Sequence, residues 1–252
     1  MVKMIMHGCN GAMGQVITGL AAEDERITIV AGIDVRQGKE KGYPVFSSLE
    51  QCDAEADVIV DFASPKAVDS LLAYSISKKI PVVLCTTGLS ETQLEAVREA
   101  GAKTAILRSA NMSLGVNLLL KLVSEAAKVL AGSGFDIEVV EKHHNQKVDA
   151  PSGTALALAD SMNQAVEGQY SYIYDRSTRR EKRSPREIGI SSVRGGSIVG
   201  EHDVIFAGRD EVVTFSHTAY SKAIFAKGAL EAAKFLAGRE PGLYTMADVV
   251  GL

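Results

Sequence analysis

Three glycines spaced three residues apart constrain the fold of this chain more than any other feature: Gly8, Gly11 and Gly14. They follow a short apolar run over residues 2–7 and precede a stretch whose apolar residues fall on one helical face. A β-branched run over residues 27–33 comes next. Because the order is strand, glycine turn, helix and strand, the sequence predicts a βαβ unit.

Glycines in this turn suit the binding of a dinucleotide. The first allows a sharp turn, the second lets the backbone approach a pyrophosphate, and the third lets the helix pack closely on the strand. Asp34 ends the second strand and is placed to hold the adenosine ribose diol, which favours NADH. Arg36 can pair with a 2′-phosphate, so NADPH also stays open. The residues predicted to bind the cofactor here are Gly8, Cys9, Asn10, Gly11, Ala12, Met13 and Asp34. The alternative is a structural turn with an unrelated surface carboxylate.

Strands and helices alternate through the first half of the chain. Apolar runs predict strands over residues 56–62, 80–85 and 104–107, and helical spacing predicts helices over 65–78 and 91–100. This alternation is typical of a parallel sheet with helices on both faces.

The pattern changes after about residue 113. A long apolar helix, a strand and an alanine-rich helix are followed by three strands that we expect to be antiparallel and joined by glycine turns, and a last helix returns to the first sheet. The predicted ranges are 114–130, 136–142, 154–166, 188–194, 197–206, 211–219 and 221–236. We therefore predict an α/β protein with a Rossmann-type doubly wound parallel sheet, interrupted by an α+β domain. The dinucleotide-binding domain would comprise residues 1–112 and 217–252, and the inserted α+β domain residues 113–216.

Two polar loops at the ends of later strands complete the predicted cofactor site. Ligands of open α/β sheets bind outside the carboxyl ends of the strands, where both loops lie. The second loop also marks the change of pattern, and a domain junction is a suitable place for nicotinamide and substrate to meet. Each could equally be an ordinary polar loop. The predicted contacts are Cys85, Thr86, Thr87, Ala110, Asn111, Met112 and Ser113.

The segment 141–154 combines three features that suit acid–base chemistry on an anion. His143 and His144 end a predicted strand and can transfer protons near neutral pH. Lys147 can hold a carboxylate or donate a proton, and the helix opened by residues 152–154 can bind a second anion at its N-terminus. A substrate with two carboxylates and a reducible unsaturated carbon would use all three features.

Taken one by one, the same residues could be a strand end, a surface lysine and a helix cap. That alternative weakens because they fall so close together in the sequence. A zinc site at His143 and His144 is disfavoured, since adjacent strand residues point to opposite faces, and no metal is expected.

The motif His-His-x-x-Lys-x-Asp-Ala-Pro-Ser-Gly-Thr-Ala over residues 143–155 resembles the signature of the 4-hydroxy-tetrahydrodipicolinate reductase (dihydrodipicolinate reductase) family. Weaker blocks along nearly the whole chain are similar to the same family. They are residues 8–14, 86–88, 110–117, 193–196, 199–202 and 225–233.

This resemblance implies a function and a set of roles. The chain would reduce the family's cyclic substrate with NADH or NADPH, in the diaminopimelate route to lysine. His143 would be the general acid/base and Lys147 the proton donor that follows hydride transfer. His144, Gly153 and Thr154 would bind the substrate's carboxylates. The family is typically a cytoplasmic homotetramer whose inserted domain carries the subunit contacts, so the same assembly is expected here.

Composition sets limits on partners and compartment. The net charge of -4 gives no general attraction to nucleic acid or anionic membrane. Three cysteines without close pairing favour a reducing cytoplasm, and the sequence carries no apolar run long enough for a membrane helix. We expect a dicarboxylate substrate, and no nucleic-acid or membrane partner.

Two other functions stay open from sequence. One is a different Rossmann dehydrogenase acting on a small amino or imino acid. The other is a non-catalytic NAD(H) sensor or an RNA-binding protein that uses the basic stretch over residues 176–186. For the enzyme, domain closure is expected, since a hydride donor and a substrate on separate domains must meet with water excluded.

Overall fold

A computed structural model describes residues 1–36, 38, 40–109 and 111–251 of the chain. The chain forms two compact units: unit 1 comprises Met1–Leu114 and Ala223–Leu252, and unit 2 comprises Gly115–Lys222. The strands are β1 (Val2–His7), β2 (Ile27–Ile33), β3 (Val45–Phe46), β4 (Val58–Asp61), β5 (Val82–Leu84), β6 (Ala105–Arg108), β7 (Asp136–His143), β8 (Ser171–Ile173), β9 (Glu187–Arg194), β10 (Gly200–Ala207), β11 (Val212–Ala219) and β12 (Gly242–Tyr244). The helices are α1 (Ala12–Ala22), α2 (Val68–Lys78), α3 (Glu91–Gly101), α4 (Leu114–Leu130), α5 (Gly153–Ala165), α6 (Ala223–Leu236) and α7 (Met246–Val250).

Unit 1 is built on a seven-stranded parallel sheet with the order β12-β6-β5-β4-β1-β2-β3. The strand order reverses between β1 and β4, so the carboxyl ends of these two strands flank the crevice where doubly wound sheets bind ligands. The predicted Rossmann-type fold is confirmed.

Both faces of this sheet are covered because its strands are apolar on both sides. Met4 and Met6 of β1 pack into a core cluster with α1 and α6, whereas Ile5 between them packs into the cluster with α2 and α3. Each such side chain contributes about 1.5–3 kcal/mol when buried. Leu230 and Leu236 of α6 join the first cluster, which confirms that the last long helix returns to this sheet.

Unit 2 contains a five-stranded mixed sheet with the order β11-β10-β7-β9-β8. The expectation that the last three strands are antiparallel neighbours is wrong for β9, which pairs in parallel with β7 and β8. The reason is the crossover through α5, which lies between β7 and β9 in sequence and allows a parallel pair. Only β10 and β11 form the expected antiparallel hairpin.

The end of β11 differs from the predicted domain boundary after residue 216. Residues 217–219 continue the ladder with β10, where His217 pairs with His202 and Ala219 with Gly200. The chain therefore leaves unit 2 only after Lys222. Within the part of the chain described, no helix has the length and apolar character needed to cross a membrane.

Candidate active site

The glycine turn after β1 is shaped by close backbone contacts. Gly8 has φ +83°, and a methyl group on its Cα would come within 2.6 Å of the Phe62 carbonyl oxygen at the end of β4. A methyl group on Gly14 would overlap the Gly8 carbonyl oxygen. Gly11 is the N-cap of α1, whose positive dipole end therefore faces the turn. This backbone cradle fits the pyrophosphate of a dinucleotide.

Asp34 links the turn to the end of β2. Its two carboxylate oxygens accept hydrogen bonds from the backbone N–H groups of Asn10 and Arg36, each at 2.9 Å. The Asn10 side chain donates in turn to the Arg36 carbonyl at 2.7 Å. A carboxylate accepts about four hydrogen bonds, so Asp34 retains capacity for ribose hydroxyls.

The other residues predicted in this turn contribute in different ways. Cys9 is fully buried and its thiol lies against Gly32, so only its backbone faces the turn. Burial, reinforced by the nearby Asp34 carboxylate, raises the pKa of the Cys9 thiol. Ala12 and Met13 form the first turn of α1, where Met13 packs on the core and Ala12 is exposed.

A buried carboxylate that sequence reasoning missed, Asp61, supports the loop after β5 that is predicted to bind the cofactor. Thr86 donates its hydroxyl to Asp61 Oδ2 at 2.6 Å, and His7 Nδ1 lies 2.7 Å from Asp61 Oδ1. Asp61 ends β4 beside His7 of β1, where a polar residue closing an apolar run was the available signal. Cys85 is half-buried, with its thiol pKa raised well above the ordinary value by desolvation, while Thr87 is exposed.

The loop after β6 is ordered by short-range hydrogen bonds. Asn111 accepts from the Ser113 N–H through its side-chain oxygen at 2.8 Å, and Ser109 donates to the Asn111 carbonyl at 2.9 Å. Met112 is buried, and its carbonyl lies so close to α6 that a side chain at Gly228 would overlap it. The predicted contact Ala110 lies outside the described residues.

In unit 2, side chains alternate between the two faces of β7, and this alternation separates the acidic Glu141 from the basic Lys142. Glu141 and His143 lie on the buried face of the strand, whereas Lys142 lies on the other face. Lys142 is paired there with Glu201 at 3.0 Å and Asp203 at 3.4 Å. The period of two therefore removes Lys142 from the site and keeps Glu141 beside His143.

Glu141 is the centre of a buried polar cluster. Its Oε2 lies 2.5 Å from His143 Nδ1, and Arg194 of the neighbouring strand β9 binds both carboxylate oxygens at 2.7 and 2.8 Å. Burial by itself would raise the pKa of Glu141, but hydrogen bonds from Arg194, Ser192 and His143 outweigh it and lower the pKa to about 2. The carboxylate is therefore ionised at neutral pH.

The ring of His143 is enclosed by β10. It meets the His202 ring edge-on with centroids 5.2 Å apart, and a methyl group at Gly200 would come within 3.1 Å of His143 Nε2. His202 is 4% exposed, and burial followed by the proximity of His143 lowers its pKa to about 4. The sequence does not indicate that His202 joins this cluster, because the contact arises only when the sheet of unit 2 folds.

The loop after β7 carries the remaining predicted residues. His144 is half-buried, and Lys147 Nζ lies 2.8 Å from Asp149 Oδ1, a contact that lowers the pKa of Asp149. Ser152 caps α5 by accepting the Ala155 N–H at 3.1 Å. Gly153 and Thr154 then form the first turn of that helix.

Open space surrounds the start of α5. A side chain at Gly153 would meet nothing within 4 Å, and Gly153 is exposed. The positive end of the helix dipole can therefore attract an anion at this position. The structure thus brings His143, Lys147, Gly153 and Thr154 into one unit, on a strand end, a loop and a helix N-terminus.

The basic stretch over residues 176–186 is held by carboxylates. Arg176 bridges Glu187 at 2.7 Å and Glu138 at 3.0 Å, and Arg183 bridges Asp136 and Glu138 at 2.6 and 3.1 Å. Two of the arginines proposed for nucleic-acid binding are thus neutralised within unit 2. Among the described residues, no group of three or more His, Cys, Asp and Glu is arranged to hold a metal ion.

Family profiles match almost the whole chain. "Dihydrodipicolinate reductase, N-terminus" matches residues 2–112, and "Dihydrodipicolinate reductase, C-terminus" matches residues 115–250. The 4-hydroxy-tetrahydrodipicolinate reductase of Caldanaerobacter subterraneus subsp. tengcongensis is 55% identical over 99% of this chain and 98% of its own length. The reductase of Clostridium novyi is 46% identical over the same shares.

A solved structure resembles the fold over the same extent. The dipicolinate-bound dihydrodipicolinate reductase of Paenisporosarcina sp. TG-14 superposes with a TM-score of 0.83 at 24% identity, covering 98% of each chain. The DAP dehydrogenase of C. glutamicum has the same kind of fold with a TM-score of 0.57 at 13% identity, covering 99% of this chain and 95% of its own. From the two profiles and the close relatives, the chain belongs to the dihydrodipicolinate reductase family of NAD(P)H-dependent oxidoreductases.

Proposed function

We propose that this reductase converts 4-hydroxy-tetrahydrodipicolinate (or its dehydrated ring) to tetrahydrodipicolinate, the reduction step of the diaminopimelate route to lysine. The overall change adds one hydride and one proton to the ring and, from the hydroxylated form, releases water. The observation that carries this proposal is the buried pair of His143 and ionised Glu141, on the same strand-loop-helix unit as Lys147 and the open N-terminus of α5.

Unit 1 supplies the cofactor site in this proposal. The backbone of residues 8–13 would hold the pyrophosphate, Asp34 the adenosine ribose, and the loops over residues 85–87 and 110–113 the nicotinamide half. When bound, NADH or NADPH supplies the hydride. The α1 N-terminus supports this assignment because its positive dipole end faces the turn, and the backbone at Gly8 and Gly14 is packed too closely for a side chain.

The preference between the two cofactors follows from Asp34 and Arg36. The Asp34 carboxylate accepts ribose hydroxyls and repels a 2′-phosphate, so we propose that NADH is favoured. Arg36 is exposed, and its guanidinium would lie 3.5 Å from a methyl group on Gly11, above the phosphate turn. This position allows Arg36 to pair with a 2′-phosphate, so NADPH is used as well.

Unit 2 supplies the substrate site. His144 and the start of α5 at Gly153 and Thr154 would hold the two carboxylates, in keeping with the dicarboxylate bound in the Paenisporosarcina enzyme. His143 would act as the general acid/base. Lys147 would give its ammonium proton to the ring after hydride addition, and Asp149, whose Oδ1 lies 2.8 Å from Lys147 Nζ, would hold the ammonium group in place beforehand.

The oligomeric state and the compartment of the protein belong to the proposal as well. We place the protein in the cytoplasm as a homotetramer whose contacts lie on unit 2. Two apolar side chains of its sheet, Val193 of β9 and Val212 of β11, are exposed in the single chain, which supports a subunit interface on this surface. Light scattering should give four times the chain mass of 26.8 kDa, and a monomer at micromolar concentration would contradict this part alone.

Steady-state kinetics on substrate generated in situ from pyruvate and aspartate semialdehyde test the reaction directly. We expect turnover with both cofactors, a lower KM for NADH, and competitive inhibition by pyridine-2,6-dicarboxylate, a planar mimic of the ring. A dehydrogenase of a small amino acid would turn over its own substrate and resist that inhibitor. Faster turnover with NADPH at a lower KM would overturn the role given to Asp34.

A further inference from the structure

Glu141 enters the proposed function only as the partner of His143 and has no role of its own there, yet it is fully buried near the end of β7. Its Oε2 contacts His143 Nδ1 at 2.5 Å and accepts from Arg194 Nη1 at 2.8 Å. Its Oε1 accepts from Arg194 Nη2 at 2.7 Å and from the Ser152 backbone N–H at 3.2 Å. These four contacts, together with the hydrogen bond from Ser192, leave the carboxylate little freedom to rotate.

The contact with His143 fixes the tautomer of the imidazole. An ionised carboxylate can only accept, so His143 Nδ1 must carry the hydrogen that lies between the two groups. Nε2 is then the ring nitrogen that gives or takes a proton when His143 changes charge. A histidine without such a partner divides its proton between both nitrogens, and only one of the two arrangements would present the correct lone pair.

The same carboxylate also reaches the anion-binding end of the site. By accepting the Ser152 N–H, Glu141 holds the residue that caps α5 directly before Gly153. Arg194 adds a bond to the Asp149 carbonyl at 2.7 Å and so ties the loop between β7 and α5 to the same group. One buried acid therefore connects the proton-transfer residue, the loop and the helix N-terminus.

Several charged or titratable groups face His143 besides Glu141. Arg194 is the register partner of His143 on β9, and His202 of β10 meets the His143 ring edge-on. Lys147 and Asp149 pair with each other on the loop that follows β7. Beyond His202, His217 of β11 pairs with it across the ladder. Of these groups, Glu141 alone is in hydrogen-bond contact with the His143 ring among the described residues, so it exerts the most direct influence on the ring.

We propose that Glu141, anchored by Arg194, is a positioning residue that fixes the Nδ1–H tautomer of His143 and the start of α5 for the reduction. This inference rests on the proposed role of His143, and it adds a requirement that none of the roles above contains. Because general acid–base catalysis is worth roughly 10²–10⁴ in rate, partial loss of its alignment should cost about 10–100-fold.

The test compares two isosteric substitutions on the same strand. Glu141→Gln keeps the volume but places an amide NH₂ where four donors need acceptors. Glu138→Gln is the matched control, since Glu138 also lies on β7 and pairs with arginines, Arg176 and Arg183, without touching His143. We expect kcat to fall about 10–100-fold in Glu141→Gln and less than about threefold in the control, with the same Kd for NADH in both.

The pH profile adds a readout that a purely structural role would not move. Because Glu141→Gln removes the negative charge in contact with the His143 ring, the pH profile of kcat/KM should change in this variant and stay unchanged in Glu138→Gln. Arg194→Lys keeps the charge but not the two-pronged contact, and should retain more activity than Glu141→Gln. Equal turnover and pH profiles in Glu141→Gln and Glu138→Gln would overturn the proposal.

Nitrogen-15 NMR of the imidazoles in the wild-type protein decides the question even if Glu141→Gln fails to fold. We expect the neutral His143 ring to carry its proton on Nδ1, in a strong hydrogen bond, and an Nε2–H tautomer would overturn the proposal. Failure of the proposed function looks different: His143→Ala would then keep wild-type turnover, whatever the tautomer proves to be.

Discussion

Both units end a central strand in a buried carboxylate beside a histidine, but the two pairs are built differently. In unit 1, Asp61 is contacted by His7 and by the Thr86 hydroxyl. In unit 2, Glu141 is contacted by His143 and by both terminal nitrogens of Arg194. Among the described residues, only the second pair has an arginine bound to both oxygens of its carboxylate.

The difference indicates how the work is divided. In the proposed assignment, the cofactor cradle of unit 1 depends on the backbone and on the absence of side chains at Gly8 and Gly14, while Asp61 accepts the Thr86 hydroxyl. The site of unit 2 depends on ionisable side chains whose charge and tautomer are set by neighbours. We therefore expect substitutions in unit 1 to change binding and substitutions in unit 2 to change turnover.

Gly14→Ala tests most strongly whether the backbone of unit 1 determines cofactor binding. The added methyl group overlaps the Gly8 carbonyl oxygen and forces the turn apart. Overpacking of this kind costs about 1–3 kcal/mol, so the Kd for NADH should rise about 10–100-fold. Gly19→Ala is the control on the same helix, where nothing lies within 4 Å. Fluorescence titration measures both, and equal affinities would contradict the cradle.

A smaller effect is expected at Gly200, which borders the His143 ring. A methyl group there would lie 3.1 Å from Nε2 and push the ring by a few tenths of an ångström. Such misplacement in Gly200→Ala should lower kcat about tenfold and leave the Kd for NADH unchanged. Unchanged turnover in a stably folded variant would show that the ring position tolerates this shift.

Asp61→Asn should have a milder and different effect. Asparagine keeps the volume and one acceptor but loses the negative charge next to His7. We expect a loss of about 1–3 kcal/mol in the free energy of unfolding, a Kd for NADH raised about threefold, and a nearly unchanged kcat at saturating NADH. A fall in kcat as large as that of Glu141→Gln would abolish the distinction between the two carboxylates.

The stability of unit 2 should depend on pH because His202 is buried. Burial lowers the pKa of His202 from 6.5 to about 4. Between pH 6.5 and pH 4, His202 is therefore protonated in the unfolded chain and neutral in the folded chain. The free energy of unfolding should therefore fall as pH drops from 6.5 towards 4, by on the order of 2–3 kcal/mol from this residue. His202→Gln should flatten that slope.

Glu141 acts in a lower pH window and separates from His202 experimentally. Its pKa is lowered from 4.5 to about 2, so its stabilising contribution is complete above pH 4.5 and is lost as the pH falls through 2. Denaturant unfolding at several pH values measures both windows. A slope between pH 6.5 and 4 that persists in His202→Gln would contradict the assignment.

The sequence predicted what local patterns encode. β1, β2 and α4 have the predicted bounds, and the glycine turn and the residues over 143–154 lie where their spacing indicated. The short strands β8 and β12 were not predicted, because a strand of three residues is too short to show a periodic pattern.

The residues that surround Glu141 and His143 could not be predicted from the sequence, for a different reason. Arg194 is 53 residues from Glu141 in sequence, and only the parallel pairing of β7 with β9 brings them together. His202 likewise reaches the cluster through the β10 ladder, directly opposite Glu141. Both residues lie in blocks that resemble the family only weakly, 193–196 and 199–202, and no local signal indicates that they contact Glu141 and His143.

One measurement tests the division of work most directly: kcat for the reduction and Kd for NADH in His143→Ala/Lys147→Ala. We predict a fall in kcat of at least about 10³-fold with the Kd for NADH within about twofold of wild type. Turnover close to wild type, or a loss explained by weaker NADH binding, would contradict the assignment of proton transfer to unit 2.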